Sequence, residues 1–219
     1  MTQSRSSFRG ILFDLDGTLV DSLGDIATSV NLTRADFGYA PLPRDEITRR
    51  VGDGSAALVQ ETVPLPPDRL PEVLERHLAN YVDHMLDTTA LFPGVAALLD
   101  RLRPLPLAVV TNKLERLAES ILQGLGIRSR FDLVIGGDSL PRKKPDPAPL
   151  LHVATHWGLT PADLVMVGDG LHDLQAARAA GIPSIGVTWG VASHAQLAAE
   201  GANAIVNSVD ALGKALGLG

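Results

Sequence analysis

The chain opens its pattern with a short apolar run, Ile11-Leu12-Phe13, that stops at two aspartates and a turn: Asp14-Leu15-Asp16-Gly17-Thr18. An apolar run bounded by a turn signal predicts a buried strand. The texture then changes. Leu23, Ile26, Ala27, Val30 and Ala35 share one face of a helix predicted over Asp21 to Phe37, closed at Gly38. Further helices are predicted at Arg44 to Gly52, Gly54 to Val63 and Asp68 to Leu86, the last two separated by Pro64-Leu65-Pro66-Pro67. No strand is read in this region.

From Leu91 onward strands and helices alternate. Strands are predicted at Leu107 to Val110, Leu133 to Ile135, Leu164 to Val167, Ser184 to Val187 and Ala204 to Val206. Helices fall at Val95 to Leu102, Leu114 to Leu125, Leu150 to Trp157, Asp173 to Ala180, Gln196 to Glu200 and Val209 to Leu216. Such alternation predicts βαβ units and a doubly wound parallel sheet of the α/β class. The expected organisation is a discontinuous core of residues 1–17 and 90–219, with an all-helical insert at 18–89. The insert leaves the core beside Asp14 and Asp16, so it is placed to lie over them as a lid.

In a parallel sheet the carboxyl ends of the strands share one edge, where open α/β sheets bind ligands. That edge would gather Asp14 and Asp16 from the first strand, Thr111 and Asn112 from the second, and Asp169 from the fourth. Lys144 lies in the loop after the third. One Asp-x-Asp alone reads equally as a solvated acidic turn. Burial of such carboxylates requires a cation or hydrogen bonds. The added hydroxyl, amide, ammonium and third carboxylate favour a metal-assisted site.

Composition narrows the partners. At 219 residues, 45% of them hydrophobic, the chain fits one domain or one with a small second domain. A net charge of −6 argues against binding to a nucleic-acid backbone. There is no cysteine, which excludes disulfides and thiolate chemistry. No apolar run approaches the ~20 residues that span a bilayer. The polar start MTQSRSSFRG has no secretory apolar segment. A soluble cytoplasmic protein is expected, with a small anionic substrate left open by the charge and no signal for oligomeric state.

The motifs DLDGT at 14–18, Thr111-Asn112, Lys144-Pro145 and GDGLHD at 168–173 together resemble the haloacid dehalogenase superfamily of phosphatases. The resemblance covers essentially the whole chain, and the helical insert resembles that family's small α-helical cap. It implies a Rossmann-like core and a Mg²⁺-dependent phosphomonoesterase acting on a small phosphorylated metabolite. Asp14 would be the nucleophile and Asp16 the general acid and base. Gly17, Thr111, Asn112 and Lys144 would bind the phosphoryl group. Asp14, Asp169 and the main-chain carbonyl of Asp16 would hold Mg²⁺, with Asp173 supporting Lys144 or metal-bound water. Gly170 stands where many relatives carry Ser or Thr.

The stretches DSLGDIATSVN at 21–31, VGDGSAALV at 51–59, YVDHM at 81–85 and VVTNK at 109–113 resemble the phosphoglycolate phosphatase subgroup. Arg49, Arg50, Gly52 and Gly54 would then meet a substrate carboxylate, the arginines reading equally as a solvated helix face. Sugar-phosphate phosphatases, a pyrophosphatase, a nucleotidase and β-phosphoglucomutase share the same motifs. A phosphorylatable receiver domain also places Asp, a hydroxyl and Lys on a parallel sheet. Lys113 and Lys143 are expected to be peripheral, the six histidines ordinary, and Trp189-Gly190 a passage from core to loop.

Overall fold

A computed structural model describes residues 8–218. The amino-terminal Met1 to Ser7, part of the stretch read as lacking a secretory segment, lie outside them. Six strands form one parallel sheet: β1 (Gly10–Phe13), β4 (Leu107–Val110), β5 (Leu133–Ile135), β6 (Leu164–Gly168), β7 (Ser184–Val187) and β8 (Ala204–Val206). Their order is β5-β4-β1-β6-β7-β8. The chain builds outward on one side of β1, then returns to its other side. β1 is therefore the switch point of a doubly wound sheet, and Asp14 follows it directly.

The sheet is buried on both faces, which is why its strands read as continuous apolar runs. Period-two alternation divides their side chains. Ile11, Phe13, Val109, Val165 and Val167 join one core with α5 (Val95–Arg101) and α6 (Glu115–Gly124). Leu12, Ala108, Val110, Leu164 and Met166 face the other way. There they meet α7 (Ala148–Trp157) and α8 (Leu171–Ala180). The chain ends with α9 (His194–Ala199) and α10 (Val209–Ala215), the second packed against α5.

Four helices lie between β1 and the rest of the sheet: α1 (Leu23–Asp36), α2 (Arg44–Thr48), α3 (Gly54–Thr62) and α4 (Leu70–His84). They pack on one another, α4 against both α1 and α3. Val59, Val63 and Val73 form their own small apolar cluster. Two expectations need correction. α2 ends at Thr48, four residues before Gly52, because the chain must turn into the Val51–Gly54 loop, where Gly52 and Gly54 take positive φ. The region also is not purely helical. β2 (Val20–Asp21) pairs antiparallel with β3 (Ala90–Leu91), so the departing and returning chain run side by side. Two-residue strands carry no periodicity that could announce them.

Asp25, in the first turn of α1, anchors this junction. Its carboxylate accepts the Thr88 and Thr89 backbone N–H groups at 3.0 and 2.8 Å, and both threonine hydroxyls. Burial alone would raise the carboxyl's pKa, but these bonds together outweigh it and hold the pKa below its usual value of 3.8. A depressed folded pKa contributes stability that is present above the unfolded value and lost as pH falls through the folded one. Asp25→Ala is expected to cost about 1–3 kcal/mol at pH 7, from stranded donors. The melting-temperature gap to wild type should narrow below pH 3.8 in calorimetric scans at stepped pH.

Candidate active site

The strand ends bring the candidate residues together. Asp14 follows β1, and its N–H donates to the Val167 carbonyl of β6 at 2.9 Å. Asp169 follows β6, and Asp173 sits in the first turn of α8, where one of its oxygens accepts the Gly170 N–H at 3.0 Å. Carboxylate oxygens of Asp14, Asp169 and Asp173 all lie within 4.8 Å of one another. Lys144, 2% exposed, reaches into this group. Its ammonium donates to Asp14 Oδ1 at 2.9 Å, Asp173 Oδ1 at 2.5 Å and the Val110 carbonyl at 2.6 Å. Burial opposes that charge, but Asp14 and then Asp173 outweigh it and keep Lys144 protonated.

Three neighbouring carboxylates and one ammonium leave excess negative charge in a dry place. Burial first, then the charges of Asp14 and Asp173, hold the Asp169 carboxyl well above the ordinary range. Two donors nonetheless orient it: the Thr18 hydroxyl at 2.8 Å and the Val191 N–H at 2.7 Å. Hard oxygen ligands, pre-oriented and short of positive charge, suit a divalent cation. Asp173, expected to stand behind the metal ligands, belongs to the same carboxylate group, and it also holds Lys144, as expected.

Asp16 has a separate set of partners. Ser22 Oγ donates to its Oδ1 at 2.5 Å, and Lys113 Nζ lies 3.1 Å from its Oδ2. Lys113 is not peripheral. It is buried, donates to the Tyr81 hydroxyl at 2.8 Å and lies 4.3 Å from that ring's centroid. The His77 ring stacks on that of Tyr81, the centroids 6.3 Å apart. Burial, and secondarily the Lys113 charge, push the His77 pKa down to about 4, so it is neutral at pH 7, and its Nδ1 has no partner among the described residues. Lys143, in contrast, pairs with Asp53 at 2.7 Å.

Thr111 and Asn112 are buried at the end of β4. The Asn112 amide donates to the Gly52 carbonyl at 2.9 Å and the Lys144 carbonyl at 2.8 Å, which joins three segments. A cleft of about 470 Å³ opens among these groups. Asp14, Asp16, Thr111, Asn112, Lys144 and Asp169 line one side; Arg49, Gly52, Gly54, Ser55, His77 and Tyr81 line the other. The two arginines separate. Arg49 faces the cleft, whereas Arg50 pairs with Glu46 and Glu61 and does not line it.

Gly190 is part of the site rather than a simple passage out of the core. A Cβ there would collide with the Asp169 carboxylate, as would one at Gly17, where φ is +79°. Trp189 beside it donates its indole N–H to the Thr18 carbonyl at 3.1 Å. The only sequence signal was a glycine just beyond a strand, which marks many loops.

The family model for haloacid dehalogenase-like hydrolases matches residues 11–187. The chain belongs to that family. It is 43% identical over 211 residues to a phosphoglycolate phosphatase of Chromobacterium violaceum, covering 92% of this chain and 93% of that one. It is 43% identical over 190 residues to a phosphoglycolate phosphatase of Neisseria meningitidis serogroup A, covering 83% and 81%. A crystal structure from Haemophilus somnus 129PT, described as a predicted phosphoglycolate phosphatase, superposes with a TM-score of 0.88 at 31% identity, covering 96% of this chain and 99% of that one. Among the described residues no helix is long and apolar enough to cross a membrane.

Gly190→Ala is the smallest change that should disturb the cation site. It is expected to weaken divalent-cation binding about 10–100-fold, the range for displaced supports of metal ligands. Mn²⁺ titration followed by electron paramagnetic resonance checks this, with circular dichroism to show that the fold persists.

Proposed function

We propose that this protein is a Mg²⁺-dependent phosphomonoesterase that hydrolyses 2-phosphoglycolate through a phosphorylated Asp14. The observation that carries the reading is the group of Asp14 and the buried Asp169 and Asp173 at the switch point of the sheet, with Lys144 bridging Asp14 and Asp173. The names of the relatives from Chromobacterium and Neisseria support the substrate. Residues 18–89 act as a cap over a core of 1–17 and 90–219. The mutual packing of α1 to α4 and the lining of the cleft by Arg49, Ser55 and Tyr81 support that division.

Each residue type suits its part. A Mg²⁺ held by Asp14, Asp169 and the Asp16 main-chain carbonyl would screen the phosphate charge that otherwise repels a carboxylate nucleophile. An Asp14 carboxylate oxygen attacks phosphorus, and the bond from phosphorus to the ester oxygen breaks. Lys144 balances charge on Asp14 and on the transferring group. Asp16 gives its proton to the departing alkoxide, then takes one from the water that attacks phosphorus. The bond from phosphorus to Asp14 breaks and inorganic phosphate leaves. Thr111 holds a phosphoryl oxygen through its hydroxyl. The Gly17 N–H is given to the Val20 carbonyl at 2.9 Å, and the Asn112 amide gives its two hydrogens to the Gly52 and Lys144 carbonyls, so Gly17 and Asn112 shape the phosphate pocket and lock the Gly52 loop in place.

Asp14→Asn is expected to lower kcat for 2-phosphoglycolate by about a thousandfold or more, since it removes the covalent route. Its circular dichroism spectrum should match wild type; a near-normal rate would refute the nucleophile assignment. Phosphate release from a panel of small esters, with Mg²⁺ and with EDTA, tests class and substrate together. The expected result is a cation-dependent preference for 2-phosphoglycolate in kcat/KM. A single turnover that leaves stable phosphate on Asp14 would point to a receiver or a mutase.

A further inference from the structure

The phosphoglycolate reading leaves unassigned the group that meets the substrate's second charge. Four cationic side chains lie at or near the cleft. Lys144 is committed to Asp14 and Asp173, and Lys143 to Asp53. Arg49 is exposed on the opposite wall. Lys113 alone, among the described residues, pairs with Asp16.

The surroundings of Lys113 form a built site. Its side chain is 7% exposed, its ammonium lies 4.3 Å from the centroid of the Tyr81 ring, and the Tyr81 hydroxyl accepts from Nζ. Tyr81 comes from α4, across the cleft from the strand ends. Lys113 follows β4, two residues after Thr111. A buried ammonium needs partners, and this one has two oxygen acceptors while it still borders the cleft.

Substrate geometry does the rest. In the phosphate ester of a 2-hydroxy acid, one carbon separates the ester oxygen from the carboxylate. If Asp16 protonates the ester oxygen, the two must be in hydrogen-bond contact. The carboxylate, one carbon further on, then falls beside the ammonium already 3.1 Å from Asp16 Oδ2. We infer that Lys113, steadied by Tyr81, is the receptor for the substrate carboxylate and makes the site selective for phosphate esters of 2-hydroxy acids. This rests on the phosphatase reading above, with Asp16 as the acid. Arg49, on the exposed rim, would instead suit a longer substrate.

The test compares kcat/KM for 2-phosphoglycolate with that for ethyl phosphate, which carries a methyl group in place of the carboxylate. The ratio cancels any inactive fraction of a variant. Lys113→Met is expected to lower the ratio at least tenfold, mostly through KM for phosphoglycolate. Arg49→Met should leave it within about twofold of wild type. An unchanged ratio in Lys113→Met, including equal losses on both esters, overturns the assignment. Collapse of the ratio in Arg49→Met with no change in Lys113→Met transfers the role to Arg49 and overturns it too. A wild-type ratio near one refutes the phosphoglycolate reading itself. Lys113→Gln replaces Lys113→Met if the methionine variant does not fold. If turnover is too slow, Kd values for the two esters on an Asp14→Asn background give the same ratio.

Discussion

Mutual repulsion among Asp14, Asp169 and Asp173 is the constraint around which the site is arranged. Three carboxylates within 4.8 Å and mostly out of water are costly, and one ammonium does not neutralise them. The fold tolerates them because each is held by donors from elsewhere. Lys144 bridges two, Thr18 and Val191 fix the third, and Gly170 caps Asp173. Glycines at 17 and 190 give Asp169 its room. The residual deficit of positive charge is what a divalent cation would make up.

A second requirement is that the helical segment meet the sheet edge in register. Four ties accomplish it. The β2–β3 ribbon sets the two connections side by side, and Asp25 fastens the start of α1 to Thr88 and Thr89. At the cleft itself, the Asn112 amide holds the Gly52 carbonyl and Lys113 holds Tyr81. The two last ties involve residues that also face the cleft, so packing of the helical segment and assembly of the cleft share the same side chains.

Much of this was legible in the chain. Asp14 and Thr111 stand directly after apolar runs, and Asp169 one glycine beyond another, so reading the strands located polar groups that line the cleft. Burial on both faces of a parallel sheet made those runs continuous and easy to find. Lys144 was legible only through its motif, because its loop has no periodicity. Helix ends were less accurate: α8 begins at Leu171 and α9 at His194, each two residues before its expected start. Caps and polar first turns carry no apolar signal.

The sequence by itself determined the α/β class, the order of the strands and helices, and the acidic character of one sheet edge. These follow from local periodicity and from the rule that parallel strands end on one side. Tertiary structure alone decided which cations serve that edge. Lys113 and Lys143 look alike in the chain, yet one is buried between Asp16 and Tyr81 and the other pairs with Asp53 nearer solvent. Arg49 and Arg50 are neighbours, yet only Arg49 lines the cleft. The physical reason is distance along the chain. Lys113 meets a tyrosine 32 residues away, and Trp189 meets Thr18 171 residues away. No local pattern encodes contacts made only when separate elements pack.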